Sequence, residues 1–201
     1  MPIQLFLSPQ NKLAWETLFN STMNLFDDSF IWLIRYFSNP GSDKIMIAIS
    51  DIGFGTSYIV MVGTAFLMLI YLKRWREIGA SAICLAGGTI LSFLLKTLFH
   101  RTRPESFFVV SATGFSFPSG HALASICFYG MAAFLIMRSI ASWRWRLAFA
   151  ALAVIISVAV GVSRIYLGVH YPSDVIAGYA AGSMWLAFCI SLLMWWEKAR
   201  V

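Results

Sequence analysis

The sequence predicts an all-α fold, a polytopic bundle of transmembrane helices with five spans and room for a sixth. Three observations predict it. Of 201 residues, 59% are hydrophobic and 12% charged, whereas a soluble domain carries about 25% charged residues. Mean hydropathy is +0.75. The charged residues also bracket long uncharged runs, and in lipid only helices and closed barrels leave no backbone amide unpaired.

The elements follow in order. Residues 1–50, with "WETLFNSTMNLFDDSFIWLIRYFSNPG", mix aromatics with Glu16, Asp27, Asp28 and Arg35. They predict one or two amphipathic helices lying in the interface, the second ended by Pro40–Gly41. The start of the chain lacks the basic and apolar regions of a signal peptide. Residues 51–201 predict the membrane-embedded core. Asp51 and Lys73 enclose 21 uncharged residues, Glu77 and Lys96 enclose 18, and His121 and Arg138 enclose 16. Arg146 and Arg164 enclose 17, and Asp174 and Glu197 enclose 22. Each run approaches the ~20 residues that cross a bilayer as a helix. Gly178 and Gly182 form a G-x-x-x-G pair suited to close helix packing. Cys84, Cys127 and Cys189 sit in apolar runs without metal-ligand spacing and read as packing residues. Trp143, Trp145, Trp195 and Trp196 read as interfacial anchors.

Charge sets the expected topology. Lys73, Arg74 and Arg76, then Arg138, Arg144 and Arg146, then Lys198 and Arg200, fall on one side of five alternating spans. The positive-inside rule makes that side cytoplasmic. Lys96, Arg101, Arg103, Ser119, His121, Arg164, His170 and Asp174 then gather at the outer ends, with all three histidines of the chain. The net charge of +6 is spread over loops, with no basic run of the kind that tracks nucleic acid.

That outer cluster has a chemistry. Lys96, Arg103 and Arg164 would draw an anion, and the arginine fork suits phosphate oxygens. In "FPSGHA", Ser119 is placed to cap a helix and Gly120 lets the backbone come close. The first-turn N–H groups then form an anion cradle. His170 and Asp174 flank a tight turn, so the carboxylate can orient the imidazole as a nucleophile. His121 is placed to protonate a leaving group. In-line displacement at phosphorus through a phosphohistidine is the expected reaction. Asp174 is the only carboxylate between Ser106 and Trp196, too few for a two-metal site, so neither metal nor cofactor is expected.

Three stretches, "KTLFHRTRP" (Lys96–Pro104), "PSGH" (Pro118–His121) and "SRIYLGVHYPSD" (Ser163–Asp174), resemble the signature motifs of the type 2 phosphatidic acid phosphatase family. The family's site is similar to those of vanadium haloperoxidases and glucose-6-phosphatase. The resemblance implies that Lys96, Arg103, Ser119, Gly120 and Arg164 bind phosphate. It makes His170 the nucleophile, His121 the general acid and Asp174 the partner of His170. It also implies a metal-independent enzyme acting on a lipid phosphate or pyrophosphate, such as phosphatidic acid, phosphatidylglycerol phosphate or undecaprenyl pyrophosphate. The site would face outward from a bacterial inner membrane. Many members have six spans, so the five counted here depart in the N-terminal region. The rival readings are a lipid phosphotransferase with the same intermediate and a non-catalytic lipid-phosphate binder or transporter. His100 and Arg101 match no motif position and read as interfacial residues. The apolar loop Glu105–Phe115 is expected to guide a lipid chain, with Phe107 and Phe108 its leading residues.

Overall fold

The computed structural model describes residues 23–34, 36, 38–104 and 109–199. It is helical, with no strand among the described residues. A helix over residues 23–34 precedes six longer ones. These are α1 (Pro40–Phe54), α2 (Thr56–Tyr71), α3 (Trp75–Phe99), α4 (Gly120–Arg138), α5 (Trp143–Tyr166) and α6 (Pro172–Lys198). Five segments are long and apolar enough to cross a membrane: Pro40–Tyr71, which joins α1 and α2, and each of α3 to α6.

The N-terminal region differs from expectation at Pro40–Gly41, which starts a helix. Asn39 caps α1, its side-chain oxygen accepting from Gly41 N and Ser42 N at 3.0 Å each. Pro40 sits in the first turn, where a missing N–H costs nothing. α1 therefore runs across residue 50, the expected edge of the interfacial segment. The first expected span is also interrupted. Asp51 accepts from Thr56 N (2.8 Å) and Ser57 N (2.9 Å), capping α2 from inside α1. The approach requires Gly55, because a Cβ there would lie 1.7 Å from Asp51 Oδ1. Residues 1–22 of the expected interfacial segment lie outside the described residues.

α4 is the most buried span and packs against α3, α5 and α6. Its contact with α6 depends on the glycine pair. A Cβ on Gly178 would meet Ser119 O at 2.6 Å, and one on Gly182 would meet Leu123 O at 3.0 Å. The three cysteines are buried in the main core, with Leu123, Met131 and Leu193. Ile59, Val60, Leu67, Phe93 and Ile155 face outward, as lipid-facing side chains do. Alternation of the helices puts the C-termini of α3 and α5 and the N-termini of α4 and α6 at one end. The basic connections and the exposed Trp143, Trp145 and Trp195 lie at the other. There Arg138 grips Glu197 through two bonds of 2.9 and 2.8 Å.

Candidate active site

Each candidate residue stands at a helix end for a local reason. Lys96 lies in the last turn of α3, which stops where His100 takes a left-handed backbone (φ 48°). Ser119, Gly120 and His121 open α4. Arg164 closes α5, and the chain turns back through Gly168, whose φ of 77° favours glycine. His170 follows, and Asp174 sits in the first turn of α6. The two N-termini are tied directly, Ser119 N donating to Asp174 O at 2.9 Å.

His170 and Asp174 form the centre, 2% and 0% exposed. The ring Nδ1 lies 3.5 Å from Asp174 Oδ2 and 3.4 Å from Ser116 Oγ. Ser116 Oγ donates to the same Oδ2 in a short hydrogen bond. Tyr171 N donates to Oδ2 as well (2.9 Å), and Arg101 Nη1 reaches Oδ1 at 2.8 Å. With a proton on Nδ1 facing these acceptors, the Nε2 lone pair points outward from the pair. Arg103 Nη1 stands 3.4 Å from that Nε2. Burial pushes the His170 imidazole down to about 4, the Asp174 hydrogen bond opposing it and Arg103 adding to it. The ring is therefore the neutral base near pH 7.

Two of the cations are held in place by carbonyls and the third by a hydroxyl. Lys96 Nζ donates to Phe115 O (2.7 Å) and Ser116 O (3.3 Å). Arg103 donates to Val169 O (2.7 Å), Thr113 O (3.0 Å) and Gly114 O (3.1 Å). Arg164 is buried, its Nη1 bonded to Ser50 Oγ at 2.5 Å. Two buried polar atoms here, Arg164 Nε and Ser119 Oγ, have no hydrogen-bond partner among the described residues. Ser119 occupies the N-cap position, but its side chain makes no cap hydrogen bond, contrary to the sequence expectation. A buried hydroxyl and a guanidinium N–H left unpaired are costly, and an anion's oxygens would satisfy both. His121 packs its ring 5.6 Å from that of Phe54 and makes no hydrogen bond among the described residues.

Four residues outside the motif positions join the site. Ser116 bonds Asp174, and Ser50 comes from α1, inside the segment expected to be interfacial. Arg101, expected to be interfacial, is instead paired to Asp174 and to Asp27. Asp27, expected on an interfacial helix, is fully buried. His100 caps α3 and packs its ring 4.5 Å from that of Phe115. Of the apolar loop, residues 105–108, including Phe107 and Phe108, lie outside the described residues, while Val109, Val110 and Ala112 pack on Tyr166, Leu167 and Val169. A cleft of about 760 Å³ opens beside Arg101, walled by Phe26, Phe99, Phe117 and Ile176. A second cleft, of about 410 Å³, lies towards the other end among Leu69, Leu85 and Met131; the eight residues expected from the sequence line neither cleft, and the first meets the site through Arg101.

The PAP2 superfamily model matches residues 77–198, a stretch that contains all eight site residues expected from the sequence but not Ser50 or Asp27. The chain belongs to the PAP2 superfamily. Among PAP2 relatives, phosphatidylglycerophosphatase B of Bacillus subtilis is 33% identical over 150 residues, 71% of each chain. The undecaprenyl-diphosphatase of Sulfolobus acidocaldarius is 31% identical over 163 residues, 78% of this chain and 72% of that one. The fold is similar to the crystal structure of a transmembrane PAP2-type phosphatidylglycerolphosphate phosphatase from Bacillus subtilis. There the TM-score is 0.75 at 23% identity, covering 94% of this chain and 89% of that one. It is also similar to Aquifex aeolicus LpxE, with a TM-score of 0.67 at 22% identity over 82% and 94% of the two chains.

Proposed function

We propose that this PAP2 protein is a metal-independent phosphatase that hydrolyses a lipid phosphate or pyrophosphate through a phosphohistidine. The observation that carries the reading is the pairing of His170 with Asp174 beside two unpartnered buried donors, Ser119 Oγ and Arg164 Nε. The phosphoryl group sits against those donors, the first-turn N–H groups at Gly120, and the Lys96 and Arg103 cations. Together they neutralise the charge that spreads over its oxygens during transfer.

His170 Nε2 attacks phosphorus, and the bond from phosphorus to the leaving oxygen breaks. His121 donates a proton to that oxygen, released as an alcohol from a monoester or as a phosphate from a pyrophosphate. The Nδ1 proton stays on His170, and Asp174 offsets the charge the ring gains. Water then attacks phosphorus, His121 takes the proton that water loses, and the N–P bond breaks to free inorganic phosphate and His170.

Three features favour a lipid substrate. The site lies at a helix-bundle end, the apolar cleft beside Arg101 suits an acyl or prenyl chain, and the relatives' names refer to lipid phosphates. Phosphatidylglycerol phosphate, phosphatidic acid and undecaprenyl pyrophosphate are the candidates. The basic connections at the opposite end orient the site outward from a bacterial inner membrane. The test is acid-free, denaturing quench of the purified protein turning over ³²P-labelled lipid phosphate. A base-stable, acid-labile label on wild type that is lost in His170→Ala supports the reading. Turnover by His170→Ala at the wild-type rate overturns it.

A further inference from the structure

We propose that Asp27 and Arg101 are positioning residues for the His170–Asp174 pair, linking the helix at residues 23–34 to the nucleophile's carboxylate partner. The inference rests on the function proposed above. Arg101 bridges two carboxylates, its Nη1 lying 2.8 Å from Asp174 Oδ1 and its Nη2 2.7 Å from Asp27 Oδ2. Nη1 also donates to Ser173 Oγ at 2.7 Å, and the guanidinium lies 4.0 Å over the Tyr171 ring. Asp27 accepts from Ser173 N (2.9 Å) and Ser173 Oγ (2.7 Å), so it satisfies a first-turn N–H of α6 from another element.

The two ends of Asp174 then have different work. Ser116 and Tyr171 N hold Oδ2 towards His170, while Arg101 holds Oδ1 away from it. A carboxylate gripped at both oxygens cannot turn about its last side-chain bond. Arg101 can grip only if its own plane is fixed. Asp27 fixes it at the far nitrogen and Tyr171 on its face. The arrangement also balances charge. Without Arg101, the buried carboxylates of Asp27 and Asp174 lose the one cation that both of them pair with among the described residues. Without Asp27 as well, the repulsion disappears. A plain structural clamp would make the two losses add; this arrangement makes the second substitution partly repair the first.

The charged and titratable groups around His170 are Arg103 from the loop, Arg164 from α5, His121 from α4 and Asp174 from α6, with Lys96 from α3 beside Arg103, Arg164 and Asp174. Removing Arg101 leaves more negative charge near this set, which favours protonated His170. The acid limb of the kcat profile therefore moves to higher pH.

The experiment compares wild type, Arg101→Gln and Arg101→Gln/Asp27→Asn in detergent. It measures phosphate release from a short-chain lipid phosphate from pH 4 to 8 and the affinity for inorganic vanadate. Arg101→Gln removes the donor that holds Asp174 Oδ1, and loss of positioning of this kind is expected to lower kcat by about 100-fold. KM and vanadate affinity stay within about threefold, because Arg101 does not hold the phosphate, and the acid limb shifts upward. The double variant is expected to regain about tenfold in kcat and to return the limb towards wild type. A further loss in the double variant, an unmoved limb, or a fall in vanadate affinity as large as that in kcat overturns the inference while the proposed function stands. No phosphate release by wild type from any lipid phosphate overturns the function and this inference with it.

Discussion

Asp174→Asn is the substitution whose consequences the geometry specifies most closely. The native carboxylate meets donors at both oxygens: Arg101 at Oδ1, and Ser116 Oγ, Tyr171 N and His170 Nδ1 at Oδ2. An amide has one oxygen to offer. Turned towards Oδ2, it keeps three donors but sets its NH₂ against the Arg101 guanidinium. Turned the other way, it sets the NH₂ against Tyr171 N–H and His170. The ring must then carry its proton on Nε2 to accept from the amide at Nδ1, which blocks the attacking lone pair. Both outcomes remove the negative charge that offsets His170 as the N–P bond forms. The corresponding substitution in a serine-protease triad costs about 10⁴-fold, so kcat is expected to fall by about 10³–10⁴-fold. Phosphate release from a short-chain lipid phosphate, followed to saturation, separates kcat from KM; KM should change little, because Asp174 does not touch the phosphate. A kcat within tenfold of wild type would refute the assignment of Asp174 as the partner of His170.

Three other predictions follow from particular contacts. Ser116→Ala removes one hydrogen bond to a carboxylate, worth about 1.5–3 kcal/mol, and is expected to lower kcat by about 10–100-fold in the same assay; unchanged kinetics would place Ser116 outside the site. Attack requires neutral His170, and burial holds that ring down to about 4. Protonation therefore removes the nucleophile only as pH falls through that region, and the acid limb of kcat is expected well below the ordinary histidine value; a limb near 6.5 would contradict the buried, neutral ring. Gly178→Ala places a Cβ 2.6 Å from Ser119 O and is expected to cost about 1–3 kcal/mol of stability, read as a lowered Tm in detergent. Gly63→Ala, inside α2 where a Cβ meets nothing within 4 Å, is its control and should not lower Tm, since alanine favours a helix interior over glycine.

The spans and the residues that converge at one end were legible because both rest on short-range rules. Uncharged runs of helical length must cross or be buried, and strict alternation then decides which loops share an end. Gly178 and Gly182 were legible for the same reason, since their spacing puts them on one helix face. What stayed hidden was pairing across long sequence separations. Nothing near Asp27 signals that its partners are Arg101 and Ser173, and an aspartate among aromatics reads as one side of an interfacial helix. Arg101 stands two residues from Arg103, yet turns to the opposite partner set. Ser50 and Ser116 carry no signal as lone serines; only the folded chain shows them touching Arg164 and Asp174. Pro40 was ambiguous in kind, since proline ends one helix and starts the next, and the Asn39 cap decides between the two.

The most direct test of the central claim is inorganic phosphate release by the detergent-purified protein in excess chelator. Its panel holds phosphatidic acid, phosphatidylglycerol phosphate, undecaprenyl pyrophosphate and a lipid A phosphate, with His170→Ala beside wild type. Release by wild type from at least one lipid, undiminished by chelator and lost in His170→Ala, is the predicted result, and the ranking of kcat/KM names the substrate. Release that chelator abolishes, or that His170→Ala retains, would contradict a metal-independent phosphatase acting through His170.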